Sequence, residues 1–116
     1  MYEAASREGA KGEKDSMRAA EVIVFEGADP REFSRVDALA RDRALEGLAD
    51  YPGFESMTVF EDASLGCIHL VITFATDHDR LGANNALEQI SRVVALASGT
   101  KKVRRFGCPV FRAPRR

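Results

Sequence analysis

"YPGFESMTVFEDASLGCIHLVITFAT", residues 51–76, decides the fold. Pro52 presets the φ of the first central position of a turn, and Gly53 supplies the positive φ that a type II turn needs next. "FESMTVFED" (54–62) then alternates as a half-buried strand, "ASLG" turns the chain, and "CIHLVITFAT" (67–76) returns as another strand. The stretch is a β-hairpin, and the segments on either side of it have a different period.

Before the hairpin, Phe33, Val36, Ala40, Ala44 and Leu48 recur at helical spacing to about residue 50. "ADPREF" opens that helix: Asp29 as cap, Pro30 at the first helical position and Glu32 placed to reach back as in a capping box. Ahead of it, "AEVIVFEG" (20–27) is β-branched and apolar, the first strand. After the hairpin, Thr76 and Asp79 open a second helix with the stripe Ala83, Leu87, Ile90, Val94 and Ala97, and Gly99 stops it. "KKVRRFGCPVF" (101–111) closes the pattern as the last strand.

The order β-α-β-β-α-β predicts an α+β, ferredoxin-like domain with a four-stranded antiparallel sheet. Its first and third strands are expected in the centre, its second and fourth at the edges. The domain is placed at residues 17–116. Residues 1–16, rich in Glu, Lys, Ser and Gly without apolar periodicity, read as a disordered N-terminal arm.

Two helices cover only one face of such a sheet. On the third strand Ile68, Leu70, Ile72 and Phe74 point to one face, and Cys67, His69, Val71 and Thr73 to the other. The first strand is apolar on both faces, with Val22 and Val24 opposite Ile23 and Phe25. A solvated face shows cleaner polar alternation, so the uncovered face is expected to bury itself in a homodimer through the sheet face.

Composition narrows the function. At 45% hydrophobic and 30% charged residues the chain is an ordinary globular one. No apolar run is long enough for a bilayer and no signal peptide is visible, so no membrane partner and a cytoplasmic location are expected. Residues 1–99 sum to −8 and residues 100–116 to +7, which makes the basic ending local. RNA-recognition modules share the strand order, yet they stack bases on aromatic residues of the central strands. The outward positions Cys67, His69 and Val71 offer no such platform, so no nucleic acid is expected. The basic ending instead reads as a guarded edge strand: charged side chains discourage stray pairing, Pro109 ends the ladder, and Val103, Phe106, Val110 and Phe111 supply packing.

The run "ADPREF", a helix, "YPGFESMTVFED", "GCIHLVITFAT" and a second helix resembles the antibiotic biosynthesis monooxygenase-like family of the dimeric α/β-barrel superfamily, over roughly residues 20 to 111. The resemblance implies sheet-to-sheet homodimers and pockets between helices and sheet. It also implies a monooxygenase (oxidoreductase) that needs no cofactor and acts on a small aromatic or quinol-type ligand. A common member ends its third strand with Trp and has His or Asn early in the next helix. Phe74 stands near the first place and Asn84 or Asn85 near the second. The chain has no Trp, which counts against haem degradation.

The candidate catalytic residues are therefore Asn84 and Asn85, as hydrogen-bond donors to a substrate oxyanion, and His69, because imidazole is the side chain suited to proton transfer at neutral pH. Phe74, Arg104 and Arg105 are the candidate ligand-binding residues. No metal is expected: His78 between Asp77 and Asp79 fits a helix start, and the spacing of His69, His78 and Cys67 matches no ligand pattern. Cys67 and Cys108 fall on strands separated by the first strand, about 10 Å apart and beyond disulfide reach, so free thiols are expected. A non-catalytic ligand-binding or dimerisation module of the same fold is the alternative.

Overall fold

A computed structural model describes residues 17–110; the N-terminal arm, Phe111 and the last basic residues lie outside that range. The elements are β1 (Ala19–Glu26), a 3-10 turn (Pro30–Glu32), α1 (Phe33–Leu48), β2 (Phe54–Asp62), β3 (Cys67–Phe74), α2 (Asp77–Gly82), α3 (Asn84–Ser98) and β4 (Lys102–Pro109). The sheet order is β2-β3-β1-β4, and every neighbouring pair is antiparallel. This is the expected ferredoxin-like α+β topology, with β1 and β3 central.

The opening hairpin forms as its residues dictate. Gly53 has φ 80°, and the Phe54 amide donates to the Tyr51 carbonyl at 3.3 Å to close the turn. The entry to α1 differs from the expected capping box. The Asp29 side chain does cap, accepting from the Arg31 amide at 3.0 Å, but Pro30–Glu32 winds as a 3-10 turn. Glu32 is thereby rotated to bind Arg35 (2.6 Å) instead of reaching back. The second helix is also broken: Thr76 caps α2 through the Asp79 amide (3.1 Å), and the backbone kinks at Ala83 before α3. Gly99, at φ 68°, ends α3 as expected.

Phe33, Val36, Ala40, Ala44 and Leu48 of α1 are all buried, as are Leu87, Ile90 and Val94 of α3. They meet Ile23 and Phe25 of β1 and Ile68, Leu70, Ile72 and Phe74 of β3 in one cluster. Phe54 packs edge-on to Phe74, with centroids 6.2 Å apart. The helix–sheet layer is thus filled with side chains.

Register assigns the opposite face, because directly paired antiparallel residues share a face. Val22 stands between Val71 and Phe106, and Val24 between His69 and Arg104; Phe60 pairs with His69. No helix among the described residues lies on this side. Phe60 and Phe106 remain 55% and 49% exposed. The last strand therefore packs less than the sequence suggests: Val103 and Phe106 are exposed, the latter because it faces away from the helices. No helix among the described residues is long and apolar enough to cross a membrane.

Candidate functional site

The chemistry-bearing side chains gather where β1, β4 and α2 meet. Glu21 shares the β1 face of Ile23 and Phe25, so its side chain enters the core and is 3% exposed. Such a carboxylate requires partners. Arg80, reaching down from α2, donates through Nη1 to Glu21 Oε1 at 2.7 Å. Arg105, on the neighbouring strand, donates through Nε to Oε2 at 2.7 Å. Asp77 takes the Arg80 Nε at 2.8 Å, one helical turn away.

Two arginines and two carboxylates balance here. Burial works against the charged form of Arg80, but hydrogen bonds to Asp77 and Glu21 outweigh it and hold the guanidinium pKa above its ordinary value. Every buried side-chain nitrogen and oxygen among the described residues has a hydrogen-bond partner. The Arg80 guanidinium rests on the backbone of Gly107, where a Cβ would collide with it. Beside it opens a cleft of about 260 Å³ whose wall includes Met17, Ala19, Gly107, Cys108 and Pro109.

Arg105 continues the chain of contacts: its Nη2 donates to Asn84 Oδ1 at 2.8 Å. With the amide oxygen held, the Asn84 NH2 group is the end left to donate elsewhere. Asn85 follows in the same turn and is exposed. The structure thus brings together Asn84 and Arg105 from among the expected residues.

It does not bring the others to them. His69 and Arg104 lie on the opposite face of the sheet, where Arg104 Nε is bound to Glu26 at 2.9 Å. Phe74 is on the helix side but has no exposed surface. Cys67 and Cys108 are free, on strands separated by β1. Among the described residues no group of three or more His, Cys, Asp or Glu side chains could hold a metal ion.

Glu21, Arg80 and Asp77 escaped the reading of the sequence. The signal was parity: Glu21 lies two residues before Ile23 and four before Phe25, so the rule that places those two in the core places it there as well. An acid on a core face demands cations, and Arg80 and Arg105 are 59 and 84 residues away.

The fold and this polar edge define a class, the ferredoxin-like α+β domains with a helix-covered sheet and an open opposite face. Solved structures narrow it. The chain is similar to a monooxygenase from Streptomyces coelicolor in complex with nanaomycin D, at 14% identity, 87% of this chain, 94% of the other and TM-score 0.68. It is similar to SnoaB, a cofactor-independent oxygenase from Streptomyces nogalater, at 17% identity, 84% and 96% coverage and TM-score 0.57. A proposed antibiotic biosynthesis monooxygenase from Caulobacter crescentus matches at 10% identity, 90% and 99% coverage and TM-score 0.60. Many of the structural relatives are thus described as monooxygenases, several of them of antibiotic biosynthesis, the group the sequence resembles, and at these identities they establish the fold. No protein-family model and no curated protein matches the chain.

Proposed function

We propose that this domain is a homodimeric monooxygenase that uses no cofactor and acts on a small aromatic or quinol-type molecule. The observation that carries the reading is the relay Glu21–Arg105–Asn84, which fixes an amide donor at the rim of the sheet in the fold of two oxygenases. SnoaB is described as cofactor-independent, and the Streptomyces coelicolor enzyme holds nanaomycin D. Both facts favour a substrate that supplies its own electrons.

In that chemistry the substrate loses an acidic proton and becomes a phenolate or enolate. Its carbanion-like carbon reduces O₂. For a ring CH₂ the balance is one O₂ consumed, one oxygen atom entering as a carbonyl and the other leaving as water with the two hydrogens. The Asn84 NH2 donates to the oxyanion, with Asn85 as a second donor, and a fixed donor of this kind stabilises charge without reorganising. Arg105 positions Asn84, and Glu21 positions Arg105. The open face, with Val22, Val71, Phe60 and Phe106, pairs with a second copy, which places His69 and Arg104 at the interface.

Oxygen uptake in chelator-treated buffer without flavin, using anthrones and naphthols, tests the reading. Expected are one labelled oxygen atom per product molecule and a kcat about 10²-fold lower for Asn84→Ala. Turnover no faster than background, or equal in Asn84→Ala, would overturn it. A second reading, a non-catalytic ligand-binding or dimerisation module, is favoured by the filled helix–sheet layer, where Leu48, Leu70, Phe74, Leu87 and Val94 are each no more than 1% exposed. That reading predicts a dimer that binds the same molecules and consumes no oxygen.

A further inference from the structure

The cleft beside Arg80 lies at the point where β4 ends. Pro109 is part of its wall, and the next residue, Val110, donates its amide to the Arg18 carbonyl at 2.9 Å. We infer that this cleft is the docking site of the chain's own following segment, residues 111–116, with the Phe111 ring on Met17, Ala19 and Pro109 and an arginine of the segment on the Asp77 carboxylate.

Three observations lead there. The first is the tether. Val110 is held at the rim, so the segment starts within one residue, about 3.4 Å, of the wall. A tether this short gives the segment an effective concentration that a free ligand rarely reaches. The second is parity. Gly107 pairs with Glu21 and Pro109 with Ala19, which puts them on the helix side of the sheet, and the Arg80 guanidinium lies against Gly107. The Val110–Arg18 bond continues the ladder by one residue, and the two-residue period then assigns position 111 to the side of Arg80 and Asp77.

The third observation is charge. Residues 111–116, "FRAPRR", bring one aromatic, three arginines and no acid, whereas residues 17–110 hold 11 basic and 14 acidic side chains. A segment of +3 therefore follows a body of −3. In the cleft the counter-charge is Asp77, whose side chain is 47% exposed; its Oδ1 takes Arg80 Nε at 2.8 Å, and a carboxylate accepts more than one donor. The two cations of the wall do not repel an incoming guanidinium, because Glu55 neutralises Arg18 (3.1 Å) and Glu21 neutralises Arg80 (2.7 Å). The N-terminal arm reaches the same rim through Met17 but is less suited: residues 1–16 carry 3 basic and 4 acidic side chains, and their one aromatic is Tyr2. Docked in this way, residues 111–116 cover the Arg80–Asp77 pair from water.

Nuclear Overhauser spectra of the full chain test the inference. Contacts are expected from the Phe111 ring to the Ala19 methyl and, across the cleft, to the Arg80 methylenes. In a mixture of carbon-13-labelled and unlabelled chains, isotope filtering should show these contacts only within one chain. Exchange of the Arg80 Nε–H with water gives a second reading. Phe111→Ser should speed it about tenfold, the fold-change expected for losing roughly half of a full Phe burial. Arg112→Gln with Arg115→Gln and Arg116→Gln should speed it about threefold, and about 1 M NaCl should do the same to the native chain. Absence of the Phe111 contacts, contacts only between chains, or unchanged Arg80 exchange in either variant would each overturn the inference. No readout involves oxygen or a substrate, so the result stands apart from the oxygenase reading.

Discussion

Replacing Glu21 by Gln removes a charge that two arginines share and leaves nearly the same volume. The Glu21 carboxylate is 3% exposed and lies 2.7 Å from Arg80 Nη1 and 2.7 Å from Arg105 Nε. Each pair is worth on the order of 4 kcal/mol of attraction at an effective dielectric constant of about 20, most of it offset by the desolvation already incurred in folding. Breaking a buried pair from one side typically costs about 3–5 kcal/mol, because the stranded charge keeps its desolvation cost. Here the stranded groups are partly relieved: Arg80 keeps Asp77, Arg105 keeps Asn84, and their side chains are 17% and 24% exposed. The expected loss is therefore at the low end, about 3 kcal/mol. For a domain of this size it amounts to roughly 12 °C or more in Tm. Urea unfolding followed by far-UV circular dichroism measures it, with an unchanged m-value as the sign that the folded state is intact. The companion variant Glu21→Leu with Arg80→Met and Arg105→Met removes all three charges and should regain most of the loss. A loss below about 1 kcal/mol for Glu21→Gln would show that water already screens the cluster. A triple variant no better than the single one would show that shape, not charge, holds this corner.

Phe74→Ala should cost about 3–5 kcal/mol in the same assay, because the ring is fully buried against Phe54; a loss under about 1.5 kcal/mol would mean the layer is looser than drawn. Phe60→Lys with Phe106→Lys places cations on the open face, and light scattering should show a dimer for the native chain and a monomer for the variant; a native monomer at micromolar concentration would remove the dimer from the proposal. Asp29 is held below the ordinary carboxylate range by the Arg31 side chain and amide, and Asp62 by the Ser64 hydroxyl and the Leu65 amide. A depressed folded pKa stabilises above the unfolded value near ~4 and loses that contribution as pH falls through the folded one. Stability of the native chain should thus decline more steeply between about pH 5 and 3 than that of Asp29→Asn with Asp62→Asn, and parallel curves would contradict it.

What the sequence discloses depends on the range of the interaction that fixes each feature. The α1 stripe from Phe33 to Leu48, the Pro52–Gly53 turn and the Gly99 stop are decided within a few residues, and the structure reproduces them. The broken second helix was hidden because Ala83, Leu87, Ile90 and Val94 keep one stripe across the kink, so periodicity alone joins α2 to α3. Glu21 was hidden for the opposite reason. Its core-facing position was available from parity with Ile23 and Phe25, but a lone acid at the start of an apolar strand reads locally as its polar boundary. Only the pairing of β1 with β4, and α2 folded over that end, bring Arg105 and Arg80 to it. Those same long-range contacts turn Arg105 toward Asn84 and seat Arg80 over Gly107. One buried carboxylate therefore holds both arginines, and Glu21→Gln should loosen Arg105 on Asn84 and Arg80 over Gly107 together, read as backbone amide shifts at Asn84 and at Gly107. A shift at one place without the other in Glu21→Gln would refute their common support.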